Sequence, residues 1–227
     1  HALGQEARKR IETSRASVAA LLGVDASEIV FTSGATEANN LALRGVVAKW
    51  KMENGKWKES LNSQFSILAP RIILSSIEHE SVLETARDLE REGVEVVYLP
   101  VSRAGVVDLR ALRRALSKNT VLVSVMYANN EVGTIQPIEE IAKVIGEWKT
   151  ENGKLKERKR PPSSILNSQF YPLFHSDAVQ AFQFLDCDVR KLGVDLMTLS
   201  SHKIYGPKGA GALFVKGLGS RVQGIGS

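Results

Sequence analysis

Short, almost continuous apolar runs alternate along this chain with longer stretches whose apolar residues recur at helical spacing. The runs at 71–75, 94–100, 120–127, 173–177, 194–199 and 211–215, with 28–33 before them, have the length and β-branched content of strands. Those lacking polar alternation predict strands buried on both faces. Ala7, Ile11, Ser14, Val18 and Leu21 predict a helix over residues 1–22, stopped by Gly23. A second helix is predicted from Gly34 through Asn40, Leu43 and Val47, and a third through Val82, Ala86 and Leu89, ending at Gly93. Asp108 caps a fourth through Leu109, Leu112 and Leu116, and Pro137 opens a fifth through Ile141 and Ile145. Strand and helix alternate throughout, which predicts an α/β fold whose mostly parallel, seven-stranded-type sheet is flanked by helices.

The candidate chemistry falls just after the strands, on the rim where open α/β sheets bind ligands. The run at 194–199 leads into Ser200-Ser-His-Lys-Ile-Tyr-Gly-Pro-Lys-Gly209, whose glycines and proline break any helix. Lys203 is expected to be partly desolvated there, with a lowered pKa that suits a Schiff-base nucleophile. The alternative is a surface lysine in a glycine-rich loop. The run at 173–177 ends in Asp177, with Gln180 three residues on. A carboxylate on the same rim as the lysine suits the pyridinium nitrogen of pyridoxal phosphate (PLP), although a helix cap is the commoner fate of such an aspartate. Strand, small-residue turn and helix start at Ser33-Gly-Ala-Thr36 form either an anion site or a plain cap. His79 reads as a packed or capping residue or as a catalytic one, and Asn129-Asn130 reads equally as turn chemistry.

Five segments in order carry a family resemblance: Ser33-Gly-Ala-Thr-Glu-Ala-Asn-Asn40, Glu78-His79, Ala128-Asn-Asn-Glu-Val-Gly133, His175-Ser-Asp-Ala-Val-Gln180 and the lysine segment. Together they resemble the PLP-dependent cysteine desulfurases, in the fold-type I group of class V aminotransferases. The resemblance implies that Ala35 and Thr36 bind the PLP phosphate. It implies that His79 stacks on the ring and takes part in proton transfer, and that Asn130 and Gln180 bond the ring oxygen. Asp177 would hold the pyridine nitrogen, Lys203 the aldehyde carbon, and Ser200 and His202 would complete the cofactor site. The implied activity moves sulfur from L-cysteine to an enzyme thiol, leaving alanine. Its expected partners are a second copy of the full-length chain and sulfur-acceptor or iron–sulfur scaffold proteins. The small C-terminal domain of such enzymes, with its mobile cysteine and carboxylate-binding arginine, is expected to be missing. The 227 residues then read as a partial large domain, incomplete and inactive alone. The other readings are a non-catalytic PLP-fold remnant used for binding, or another class V enzyme such as an aminotransferase or selenocysteine lyase.

Composition adds little and removes some options. The chain is 43% hydrophobic and has one cysteine and four scattered histidines, so neither a disulfide framework nor a metal site is expected. No apolar run reaches membrane-span length and no secretory signal is evident, which makes a cytoplasmic protein the expectation. Cys187, between Asp186 and Asp188, is expected to be structural, its thiolate disfavoured by the two carboxylates. The net charge of +5 comes from two related segments. Residues 49–68 carry four lysines against two glutamates, and residues 147–170 six basic against three acidic residues, so the remainder is neutral and nucleic acid is not the expected partner. Trp50-Lys-Met-Glu-Asn-Gly-Lys-Trp-Lys-Glu59 recurs as Trp148-Lys-Thr-Glu-Asn-Gly-Lys-Leu-Lys-Glu157. Both copies are expected to be exposed low-complexity insertions between a helix and a strand, with RNA or partner contact as the alternative.

Overall fold

The computed structural model describes residues 2–54, 69–153 and 171–218. Seven strands form one sheet: β1 (Ile29–Thr32), β2 (Arg71–Ser75), β3 (Glu95–Leu99), β4 (Thr120–Ser124), β5 (Leu173–Asp177), β6 (Leu196–Ser200) and β7 (Gly211–Val215). Their order is β1-β7-β6-β5-β4-β2-β3. Strands β2 to β6 pair in parallel, and β7 alone runs against its neighbours. The C-terminal ends of β1, β2, β4, β5 and β6 therefore share one rim.

Six helices cover the two faces: α1 (Ala2–Leu22), α2 (Ala35–Glu53), α3 (Glu80–Arg91), α4 (Leu109–Ala115), α5 (Ile138–Gly153) and α6 (Val189–Leu192). Alternate residues of a strand point to opposite faces, so β2 sends Ile72 and Leu74 one way and Ile73 the other. The first pair meets Ala42, Leu43, Val46 and Val47 of α2 and Val82, Ala86 and Leu89 of α3. Ile73 joins Val123, Phe174 and Met197 beneath Leu22, Leu112, Ile141, Ile145 and Leu192 from α1, α4, α5 and α6. Fully burying one such aliphatic side chain stabilises the fold by about 1.5–3 kcal/mol. No helix among the described residues is long and apolar enough to cross a membrane.

Two glycines bring the first βα turn against the last strand. Gly34, the cap residue of α2, has φ 155° and ψ −176°, a region open essentially to glycine alone. A Cβ on Gly211 would lie 2.7 Å from Gly34 Cα and 2.9 Å from the Leu199 carbonyl oxygen. The turn after β1 is thus pressed onto the start of β7.

The basic repeats begin inside helices, which corrects their expected boundaries. Residues 49–53 are the last turn of α2 and residues 147–153 the end of α5. Trp50 is buried in the α2–α3 core and Trp148 packs on the other one. An indole is too large an apolar surface to leave in water when a helix end can lay it on the sheet. Residues 55–68, with Trp57, and 154–170 lie outside the described residues.

Candidate functional site

The rim holds a pocket of about 420 Å³, within the size range of small-molecule sites. Its lining draws on the turn after β1 (Gly34, Ala35, Thr36), the start of α3 (His79), the loop after β4 (Met126, Asn130), the end of β5 (Asp177, Gln180) and the turn after β6 (His202, Lys203). The sequence-predicted site residues Ala35, Thr36, His79, Asn130, Asp177, Gln180, His202 and Lys203 all line this one pocket. Ser200 is not in the lining. It lies buried behind His202, its Oγ 2.7 Å from that ring's Nδ1.

At the α2 end of the pocket, the first helical hydrogen bond is made by Ala38 N–H to the Gly34 carbonyl (3.1 Å). The amides of Ala35, Thr36 and Glu37 precede it and face the positive end of a 19-residue helix. Glu37 brings a carboxylate to the same end, but that group is already engaged. It accepts from Ser33 N–H (2.6 Å) and Ser33 Oγ (2.7 Å), bonds that hold its pKa below the usual carboxylate range.

Asp177 forms the floor at 5% exposure. Oδ1 accepts from Val179 N–H (3.0 Å) and Oδ2 from Asn39 Nδ2 (2.8 Å). Burial pushes its pKa up, and these bonds, with His79 nearby, pull it back. The cap alternative is therefore half right, because one oxygen does serve the turn that follows. His79 fills the capping role weighed for it and also reaches the pocket. It caps α3, its Nδ1 accepting from Ser81 N–H (3.1 Å), and it lines the pocket. The two asparagines divide the labour. Asn129 is buried and makes the turn, accepting from Glu131 and Val132 N–H (2.9 Å each), and Asn130 is left exposed at the pocket.

Lys203 departs from expectation. It is exposed, in a short 3₁₀ turn over Ser201–Lys203 that lifts it off the strand end, so the chain itself does not desolvate it. The loop beneath it is nonetheless fixed. Ser201 N–H donates to the Ala210 carbonyl (3.1 Å), Ser201 Oγ to the Ala210 and Pro207 carbonyls, and a Cβ on Gly206 would lie 2.9 Å from that of Ser201. Cys187 is buried at 4% exposure, and its thiol is pushed up to about 12. Burial is the larger cause and Asp186 the second, whereas Asp188 caps α6. Charge alone is therefore not what silences this thiol.

Sequence reasoning gave no role to Asn39, Ser81, Glu78 or the ring of His175. Asn39 and Ser81 sit at core-facing helical positions, a polar residue where the period demands an apolar one, and that was the available signal. Glu78 is buried under the pocket, Oε1 accepting from Ser75 Oγ and from Met126 N–H (2.8 Å). Burial pushes its carboxyl up to about 8. His175 is fully buried between Ser124 Oγ (2.9 Å) and Thr198 Oγ1 (3.0 Å), and burial pushes it down to about 3.

These two groups predict the shape of the stability profile. Between pH 4.5 and about 8 the folded chain keeps the Glu78 proton that the unfolded chain has lost, so stability falls as pH rises. Between pH 6.5 and about 3 the unfolded chain takes a proton that folded His175 refuses, so stability falls as pH falls. Each slope is at most about 1.4 kcal/mol per pH unit. The slopes oppose each other where the windows overlap, which gives a flat maximum near pH 4.5–6.5. Asp177, also raised, favours the folded state at low pH, an effect lost progressively as pH rises above 3.8. Urea midpoints across this range should show the plateau, and Glu78→Gln should flatten its alkaline edge. An alkaline edge equally steep in that variant would remove Glu78 as its cause.

Comparison with known proteins gives this geometry a setting. The model of the class-V aminotransferase family matches residues 1–150 and 167–223. The chain is 44% identical over 216 residues to the mitosomal cysteine desulfurase of Trachipleistophora hominis, covering 95% of this chain and 41% of that protein. It is 40% identical to the cysteine desulfurase IscS of Dictyoglomus turgidum, covering 45% of it. Among solved structures it resembles SspA in complex with cysteine, with a TM-score of 0.77 and 36% identity over 96% of this chain and 52% of that one. The chain thus spans less than half the length of these curated relatives. With a family match running through every pocket-forming segment of the sheet rim, this chain belongs to the class-V aminotransferases.

Proposed function

We propose that the pocket is a PLP site and that the chain supplies the cofactor-binding part of a cysteine desulfurase. One observation carries this: Lys203, Asp177, His79 and the free amides of α2 line a single pocket. The donor set fits the cofactor's chemistry part by part. Amides at a helix start suit a phosphate, a buried carboxylate suits a protonated ring nitrogen, and an amine at the mouth suits an aldehyde. Gly34 leaves the turn after β1 without a side chain at that point, so backbone can approach an anion closely.

When bound, PLP supplies the electron sink for chemistry at an amino acid's α-carbon. The chain's own groups do the rest. Ala35 and Thr36 hold the phosphate, and Asp177 keeps a positive nitrogen at depth. Asn130 and Gln180 offer their amides to the ring oxygen, and Lys203 fixes the aldehyde end. Ser200 keeps the His202 ring in place through its 2.7 Å bond. L-Cysteine is the proposed substrate, which agrees with desulfurases among the relatives and a cysteine-bound structure among the neighbours. Cys187 is not the sulfur-accepting thiol, since it is buried and its thiolate is out of reach near neutral pH. Sulfur passes instead to a thiol outside the pocket lining, and from there to acceptor or iron–sulfur scaffold proteins; a second copy of the full-length protein is the proposed oligomer.

The test is direct. PLP added to the purified chain should give a visible absorption band, and borohydride should make the attachment permanent. A spectrum equal to that of free PLP, with no reduced adduct, would overturn the reading.

A further inference from the structure

Asn39 is fully buried, at the fifth position of α2, yet its side chain is bonded through one atom only. Its Nδ2 lies 2.8 Å from Asp177 Oδ2 and 2.8 Å from Ser81 Oγ. Its Oδ1 is buried with no partner. The amide nitrogen must be the atom facing in, because an oxygen there would meet the Asp177 carboxylate. A residue kept for packing would not carry a buried orphan acceptor, so Asn39 is present for its two N–H bonds.

The second of those bonds has a consequence at His79. Ser81 Oγ accepts from Asn39, so its single hydrogen is free to point elsewhere, and His79 Nδ1 lies 2.9 Å away. The same Nδ1 also accepts from Ser81 N–H at 3.1 Å, a backbone donor that cannot rotate. Two donors converge on one ring nitrogen, so the proton of the neutral ring sits on the other. We propose that Asn39 is a positioning residue shared by Asp177 and, through Ser81, by the α3 cap, and that Ser81 N–H and Oγ fix His79 as an Nε2–H donor. This rests on the PLP reading for its catalytic meaning, though not for its geometry. His79 then offers a hydrogen bond to whatever occupies the pocket. It accepts a proton at Nε2 only if the α3 cap is broken, since the ring would have to carry its proton on Nδ1. The network joins three elements, α2, α3 and β5, and ties the orientation of the ring to that of the carboxylate.

The assignment can be read without cofactor. In ¹⁵N-histidine-labelled chain at neutral pH, His79 should show a bare Nδ1 and a protonated Nε2, with well separated nitrogen resonances. Asn39→Leu removes both donors and no charge, and should leave this tautomer in place, since Ser81 N–H still donates to Nδ1. Ser81→Ala removes only the hydroxyl and Ser81→Thr keeps it, and both should retain the wild-type pattern through the backbone donor. With PLP present, Asn39→Leu should weaken cofactor binding, roughly tenfold for one lost bond to a charged partner. A wild-type His79 protonated on Nδ1 overturns the proposal, even if no variant folds. In a wild type that binds PLP, an affinity indifferent to Asn39→Leu overturns its positioning role as well. Failure of the wild type to bind PLP, with the Nε2–H tautomer intact, would overturn the cofactor reading alone and leave the positioning role supported.

Discussion

Lys203→Ala is expected to abolish the visible PLP band and the borohydride-stable adduct while leaving the fold untouched. The lysine is exposed, so its truncation should change stability by no more than about 0.5 kcal/mol. Its backbone is held by Ser201 and not by its own side chain, so the loop should keep its shape. The whole effect then falls on covalent attachment. In protein carrying the complete catalytic apparatus, turnover should drop at least about 10³-fold, as when a covalent nucleophile is removed. Lys203→Arg, which keeps the charge, should fail equally, because a guanidinium cannot attack an aldehyde near neutral pH. Absorbance, mass after reduction and a melting curve decide it together. A band surviving in the alanine variant with an unchanged melt would move the attachment point elsewhere.

Asp177→Asn is the second large effect, and it divides differently. The carboxylate takes one hydrogen bond on each oxygen, from Val179 and Asn39. A primary amide has one acceptor atom, so one of the two donors must face an N–H group. That loss costs about 1–3 kcal/mol, offset in part because a buried negative charge is also removed. PLP should still bind, more weakly, through the α2 amides and Lys203. Catalysis should fall roughly 10²- to 10³-fold or more, the scale set by removing one preorganised electrostatic partner from a site shielded from water. Activity near that of the wild type, at saturating PLP, would reduce Asp177 to the cap of its own turn.

Much of this site could be read from the chain because its parts follow strands. Apolar runs such as Ile72–Leu74 and Leu196–Leu199 mark buried parallel strands whatever surrounds them, and the residues just beyond their ends must share a rim. What stayed hidden depends on pairing across long separations. Asn39 and Asp177 are 138 residues apart, and no local pattern links them. His79 was framed as cap or catalyst, although the ring has two nitrogens and can serve both. The exposure of Lys203 depends on a 3₁₀ turn that a glycine-rich segment does not announce. The repeat points Trp50 to an inserted loop, whereas the period of α2 carries it onto the sheet.

The reversed strand has a bearing on how the site comes into being. Among the described strands β1 pairs with β7 alone, and the turn proposed to receive an anion rests on Gly211 at the head of that same strand. These two segments are separated by most of the described chain, so their meeting is among the most non-local events in folding and carries a large loop-closure cost. During synthesis, from N- to C-terminus, β1 emerges long before its only sheet neighbour. The parallel strands can assemble in the meantime, but the anion cradle cannot. Among the described strands β7 is the last in chain order, so under the PLP proposal cofactor capture would be a late event in folding.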